Sequence, residues 1–217
     1  IARYRPVEFL RTFGRNLAWE MDLAAESRAC ERIGAYLETI GVRTPAIHWE
    51  LTGLRVNVQE RLYGRPASSL GSPSGDPRVA AFAKSYANAV LRMIILNGEF
   101  HGDPHPGNVF MIGEQDVGFI DFGSVGTLTK ARRDEIVRLV LAIAGEETSD
   151  VANVLLAWAG EPKVDRDALA VDLDQLIGEF RGTVLSGIEF SQIFSRVFDL
   201  LRDYRLVLPP DLAILLR

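Results

Sequence analysis

Between His101 and Gly123 three oxygen-bearing side chains recur at intervals that suit phosphate chemistry. The run His101-Gly102-Asp103-Pro104-His105-Pro106-Gly107-Asn108 leads into an apolar stretch, Val109 to Ile112, and a polar turn, Gly113 to Asp116. A second apolar stretch, Val117 to Ile120, then ends in Asp121-Phe122-Gly123. If the two stretches pair as an antiparallel hairpin with a four-residue loop, Ile112 faces Val117 and Val109 faces Ile120, which sets Asn108 opposite Asp121. Those side chains then lie roughly 5 Å apart across the strand ends. An amide oxygen beside a carboxylate is a hard ligand pair, suited to Mg2+ that keeps waters and shares its other positions with phosphate oxygens. Asp103 stands five residues before Asn108, in a turn stiffened by Pro104 and Pro106. It is placed to accept a proton from an attacking hydroxyl or water, or to orient it.

Such a segment needs elements on both sides to hold it. Upstream, Val79, Phe82, Ala83, Tyr86, Val90, Met93, Ile94 and Asn97 share one face of a helix over 79–97, and Gly98 ends it. Farther upstream, Pro6, Phe9, Leu10, Phe13, Leu17, Met21, Ala24 and Ala25 predict one long or broken helix over about 6–39, closed by Gly41. Ala46 to Leu51 and Leu54 to Glu60 flank Thr52-Gly53 and predict a β-hairpin. Gly64 to Pro77 is dominated by glycine, proline and serine and reads as a linker or surface loop. After Thr129 the pattern is helical, with helices near 130–144, 150–159, 167–181 and 189–204. This order predicts an α+β fold, a small mixed lobe joined to a larger, mainly helical one.

Plainer explanations exist for each fragment of the motif. Asp-Phe-Gly alone is common, and Asp-Pro or Pro-Gly is usually only a turn. The joint spacing, astride an apolar hairpin and after a helix ending in Gly98, is what points to chemistry. His101 and His105 stand four apart beside acids, yet the prolines around His105 forbid a helix presenting both rings to zinc. His101 reads instead as a buried histidine bracing the turn, and His105 as a residue that could approach phosphate. The lone Cys30 excludes an internal disulfide and reads as helix packing. A net charge of −5, with Arg and Lys spread among acids, excludes a nucleic-acid footprint. No run approaches ~18 uninterrupted apolar residues, so no membrane span is expected, and the location reads as cytoplasmic or peripherally membrane-associated.

An acid, an asparagine five residues on, and Asp-Phe-Gly after a short hairpin follow the order of the kinase catalytic loop. The text HGDPHPGNVF, then VGFIDFGSVGTLTKARRDEIVRLVLAIAG, is similar to the catalytic segment of the UbiB family of atypical kinases. That family usually reads His-Ala-Asp-Pro-His-Pro-Gly-Asn there. Glu20-Met21-Asp22 resembles its Glu-x-Asp element, and Leu208-Pro209-Pro210-Asp211-Leu212 its closing segment. The resemblance implies a protein-kinase-like fold with a small-lobe remnant over 1–60 and a large lobe over 61–217. It implies binding of ATP with Mg2+, and a link to coenzyme Q or other isoprenoid lipids, a membrane surface and partner proteins of a lipid-biosynthetic complex. By match to motif, Asp103 is the catalytic aspartate and Asn108 and Asp121 the metal ligands. Glu26 is the helix glutamate that pairs with a small-lobe lysine, and Glu20 and Asp22 are acids near the nucleotide. Gln59, Glu60, Arg61 and Leu62 resemble the hinge that meets adenine through its backbone.

Three departures bear on that reading. The only lysines are Lys84, Lys130 and Lys163, all after the hinge, and no glycine-rich phosphate loop or Lys-x-Gly-Gln element is present. The sequence opens without methionine and stops inside a helical pattern, so both ends read as cut and the fragment is expected to turn over little or no ATP. Gly102 and Ser124 replace the family's usual Ala and Met. Two alternatives stay open: a small-molecule phosphotransferase of the aminoglycoside or choline kinase type, and a pseudokinase scaffold that binds nucleotide without turnover.

Overall fold

The computed structural model describes residues 22–72, 75–160, 162–179, 190–206 and 212. Glu20, the helix expected before residue 22 and most of the closing segment at 208–212 lie outside them. The chain divides into two compact units, one ending at Thr127 and one beginning at Leu128.

In the first unit, helix α1 (Leu23–Glu38) starts where the Asp22 carboxylate accepts the Ala25 amide at 2.9 Å, and it buries Ile33 and Leu37 completely. The segment after it is not the regular hairpin expected at 46–60. Residues 48–51 coil into a turn, and pairing survives only as the isolated bridges Ile47↔Gln59 and Gly53↔Val56. The Thr52 hydroxyl supplies the missing rungs by donating to the Val58 carbonyl and accepting its amide. A side chain that offers both polarities competes with a backbone ladder, so the extended reading failed there.

The serine- and proline-rich stretch also differs from expectation. Strand β1 (Arg65–Pro66) pairs with Met111 and Phe110, a 3-10 turn follows at Ala67–Ser69, and the Ser68 amide donates to the Pro106 carbonyl. Part of the expected loop is therefore docked on the catalytic turn. Helix α2 (Pro77–Arg92) begins two residues before the expected Val79, with Asp76 as cap and Pro77 in its first turn, and continues through a π-turn, Met93–Asn97, to Gly98 at φ 80°. By length and composition Pro77–Asn97 is long and apolar enough to cross a membrane, although its apolar residues are interrupted by polar ones. Its Val79, Phe82, Ala89 and Met93 are buried in this unit, whereas most of the remaining residues of the helix are exposed or half-buried.

Strands β2 (Glu99–His101) and β5 (Val125–Thr127) pair antiparallel, as do β3 (Val109–Ile112) and β4 (Asp116–Phe119). The second register is one residue away from that expected: Val109 faces Phe119 and Ile112 faces Asp116. The reason is burial. This register sets Val109 against Phe119 and Met111 against Val117, four buried side chains on one face, whereas the expected one would place Met111 against Gly118. The turn shortens to three residues around Gly113 at φ 58°.

Gly126 has no room for a side chain, since a Cβ there would come within 2.5 Å of Phe100 Cε2. Gly126→Ala is expected to cost about 1–3 kcal/mol by overpacking, read as a lowered urea midpoint at an unchanged slope. A midpoint equal to that of the wild type would show that the β2–β5 ladder yields easily.

The second unit is helical: α3 (Lys130–Ala144), α4 (Thr148–Trp158), α5 (Arg166–Glu179) and α6 (Phe190–Asp203). These match the expected positions to within about two residues. Leu139, Leu155, Leu169, Leu173 and Leu201 anchor their common core. Glu135 ties α3 to α4 by accepting Trp158 Nε1 at 2.8 Å and Arg132 Nη1 at 2.6 Å.

Candidate active site

The catalytic turn is built around His101. Its ring is buried (3% exposed) between Phe119 and Phe122, with centroids at 5.6 and 5.1 Å, and its Nδ1 accepts the Asp103 amide at 3.2 Å. An Nδ1 that accepts must be unprotonated, and burial agrees, pushing the imidazole down to about 4. Nε2 is buried without a hydrogen-bond partner. The bracing role expected of His101 is thus visible as a bond to the backbone of the candidate base. His105 is exposed and folds back to accept the Gly107 amide at 3.0 Å, a local turn contact.

A second support was missed from sequence. The Tyr86 hydroxyl, on α2, donates to the Pro104 carbonyl at 2.9 Å, and its ring packs 6.0 Å from Phe119. A tyrosine on an otherwise apolar helix face was the available signal, because a buried phenol seeks a partner. Tyr86→Phe is expected to lower stability by about 1 kcal/mol and to speed amide exchange in residues 103–107. Unchanged exchange there would remove Tyr86 from the support of the turn.

Asp121 follows β4 by two residues and accepts the Gly123 amide on Oδ1 at 2.8 Å. Because of the register, Asn108 lies opposite Ile120, whose amide donates to the Asn108 carbonyl at 3.1 Å. The directly opposed Asn108–Asp121 pair expected from a four-residue loop does not form; the two are neighbours offset by one position. Among the described residues the Asn108 side-chain amide, Asp121 Oδ2 and the Asp103 carboxylate make no hydrogen bond. Asn108 and Asp121 are half-buried and Asp103 is exposed. Asp103 and Asp121 both act electrostatically on His101, which places them in one neighbourhood.

Glu26 enters the same neighbourhood from α1. Its carboxylate faces the Phe122 amide, which favours the charged form, and its Oε2 comes within 3.9 Å of where a Gly123 Cβ would sit, with Asp121 Oδ1 at 3.3 Å. Burial, and then the nearby Asp121 charge, raise its pKa. The other expected residues are placed differently. Asp22 spends one oxygen on the helix cap and faces Arg28 at 3.6 Å. Glu60 turns away to Arg43 (3.1 Å) and the Ala46 amide, and its own amide donates to the Ala46 carbonyl at 2.7 Å. Leu62 is half-buried beside Gly118, and its amide has no backbone partner among the described residues. Gln59 Nε2 donates to the Ile120 carbonyl at 3.4 Å, just before Asp121.

A model of the ABC1 atypical kinase-like domain matches residues 1–155, well over half of the chain. The chain belongs to that family, with UbiB kinases among its homologues. It is 27% identical over 224 residues to a probable protein kinase UbiB of Pasteurella multocida, covering 98% of this chain and 42% of that protein. It is 25% identical over 208 residues to the chloroplastic Activity of BC1 complex kinase 1 of Arabidopsis thaliana, covering 94% of this chain and 30% of that one. The chain therefore spans less than half the length of these relatives. Rv3197 of Mycobacterium tuberculosis, solved in complex with erythromycin, aligns with a TM-score of 0.57 at 19% identity, over 92% of this chain and 52% of that one. The ABC1 fold is kinase-like, of mixed helix and sheet, as expected from the sequence.

Proposed function

We propose that this ABC1-family chain carries the Mg2+- and ATP-handling part of an atypical kinase or ATPase. What supports the proposal is the neighbourhood of Asp103, Asn108 and Asp121 around a buried neutral histidine, with the Asp103 carboxylate, the Asn108 side-chain amide and Asp121 Oδ2 making no other hydrogen bond among the described residues. The donor set fits a magnesium ion: one amide oxygen and one carboxylate, both hard, neither paired with a cation among the described residues. Asn108 and Asp121 would hold it, and the ion would supply charge stabilisation to the phosphate oxygens. Asp103 takes the proton of the attacking hydroxyl or water, while His101 and Tyr86 fix the backbone on either side of it. Leu62, whose amide has no backbone partner among the described residues, is the hinge position that suits adenine. Glu60 contributes to that hinge through Arg43 and Ala46 rather than by touching nucleotide, and Asp22 acts through the start of α1. In kinase terms the remnant small lobe covers 1–60 and the large lobe 61–217.

The acceptor side of the proposal rests on the family resemblance. UbiB kinases suggest an isoprenoid or quinone lipid at a membrane surface. Titration of the chain with ATP, with and without Mg2+, tests the core claim: thermal stabilisation that requires both is expected. Stabilisation by neither ligand would sink it. Phosphate release then separates turnover from a binding scaffold.

A further inference from the structure

In kinases the helix that carries the conserved glutamate is moved to turn the site on and off. Here that helix, α1, is fastened along its length. Arg32 lies six residues after Glu26, about 9 Å along the axis, and forks onto Glu99 with Nη2 at 2.5 Å and Nε at 3.2 Å. One turn on, the Tyr36 hydroxyl donates to the Arg92 carbonyl at 3.4 Å, and Glu31 accepts Trp49 Nε1 at 2.7 Å.

Glu99 is a telling anchor. It opens β2, the strand that runs through His101 to Asp103, and β2 pairs with β5, which starts two residues after Gly123. The Gly102 amide donates to the Ser124 carbonyl at 2.8 Å, so both halves of the site hang on this one ladder. A single ion pair thus links the Glu26 helix to the catalytic turn and to the Asp121-Phe122-Gly123 turn together.

We propose that Arg32 is a positioning residue: its fork on Glu99 keeps α1 where Glu26 meets the Phe122 amide, which holds the Asp121 turn in its nucleotide-binding shape without an external switch. The proposal rests on the Mg2+-ATP reading above and names how that site is kept assembled. Because the pair is partly exposed, at 55% and 25%, it contributes little to global stability, and its effect is local.

The test compares the full chain with Arg32→Ala, Glu99→Gln and the charge-swapped double variant Arg32→Glu/Glu99→Arg. Residue-resolved hydrogen exchange is measured alongside affinity for Mg2+-ATP. Each single variant is expected to speed exchange at the Phe122 amide about tenfold, to leave α3, α4 and α5 unchanged, and to weaken nucleotide binding severalfold. The swap is expected to restore both. Unchanged exchange at Phe122, acceleration throughout the chain, or failure of the swap to restore protection would each overturn the proposal. If the wild type binds no Mg2+-ATP, the functional reading fails, and the exchange data still decide whether Arg32 positions the turn.

Discussion

Exchanging Asp121 for asparagine is expected to weaken Mg2+-ATP binding at least about tenfold while leaving the fold intact. The asparagine keeps an Oδ1 to accept the Gly123 amide, so the turn after β4 survives and thermal unfolding should barely move. What disappears is the anionic oxygen that now has no other partner among the described residues. Loss of that charge removes the metal-dependent part of the affinity only. Calorimetric titration should therefore show wild type and variant converging in chelator and separating in Mg2+. Equal affinities in Mg2+ would withdraw Asp121 as a metal ligand.

Acid should destabilise the first unit through His101. Its imidazole sits at about 4 when folded against an ordinary value of 6.5, so the unfolded chain binds the proton more readily in between. Stability from this group is complete above about pH 6.5 and is lost as pH falls toward 4. The full difference is roughly 3 kcal/mol. Protonation also turns Nδ1 from acceptor to donor and breaks its bond from the Asp103 amide. Glu26 works in the opposite direction, since its raised pKa favours the folded state as protons bind. Urea midpoints across that window should fall steeply in the wild type and less steeply in His101→Phe, whose ring fills the space between Phe119 and Phe122. Parallel pH profiles would show that His101 does not govern the loss.

The sequence carried the helices well, because burial of Val79, Phe82 and Met93 along α2 and its π-turn, and of Leu169, Leu173 and Leu176 on α5, follows a 3.6-residue repeat. It was weaker where side chains outbid the backbone. Thr52 replaced ladder rungs with its own hydroxyl, and Ser68 docked a stretch whose composition suggested only a loop. The β3–β4 register was misread by one residue because both pairings are apolar on paper. Only the burial of Phe119 and Val109 on one face separates them. That slip mattered for the site, since it changed an opposed Asn108–Asp121 pair into an offset one. Arg32–Glu99 and Tyr86–Pro104 were out of reach because contacts across 67 and 18 positions leave no local pattern.

Asn108 and Asp121 sharing one magnesium ion is the claim on which the rest depends. Diffraction at the manganese edge, from crystals of the chain grown with Mn2+ and a non-hydrolysable ATP analogue, would locate the ion directly. A manganese peak about 2.1 Å from an Asp121 carboxylate oxygen and the Asn108 amide oxygen, with phosphate oxygens completing its shell, is the expected result. Manganese and nucleotide bound elsewhere, with Asp103, Asn108 and Asp121 untouched, would contradict the account.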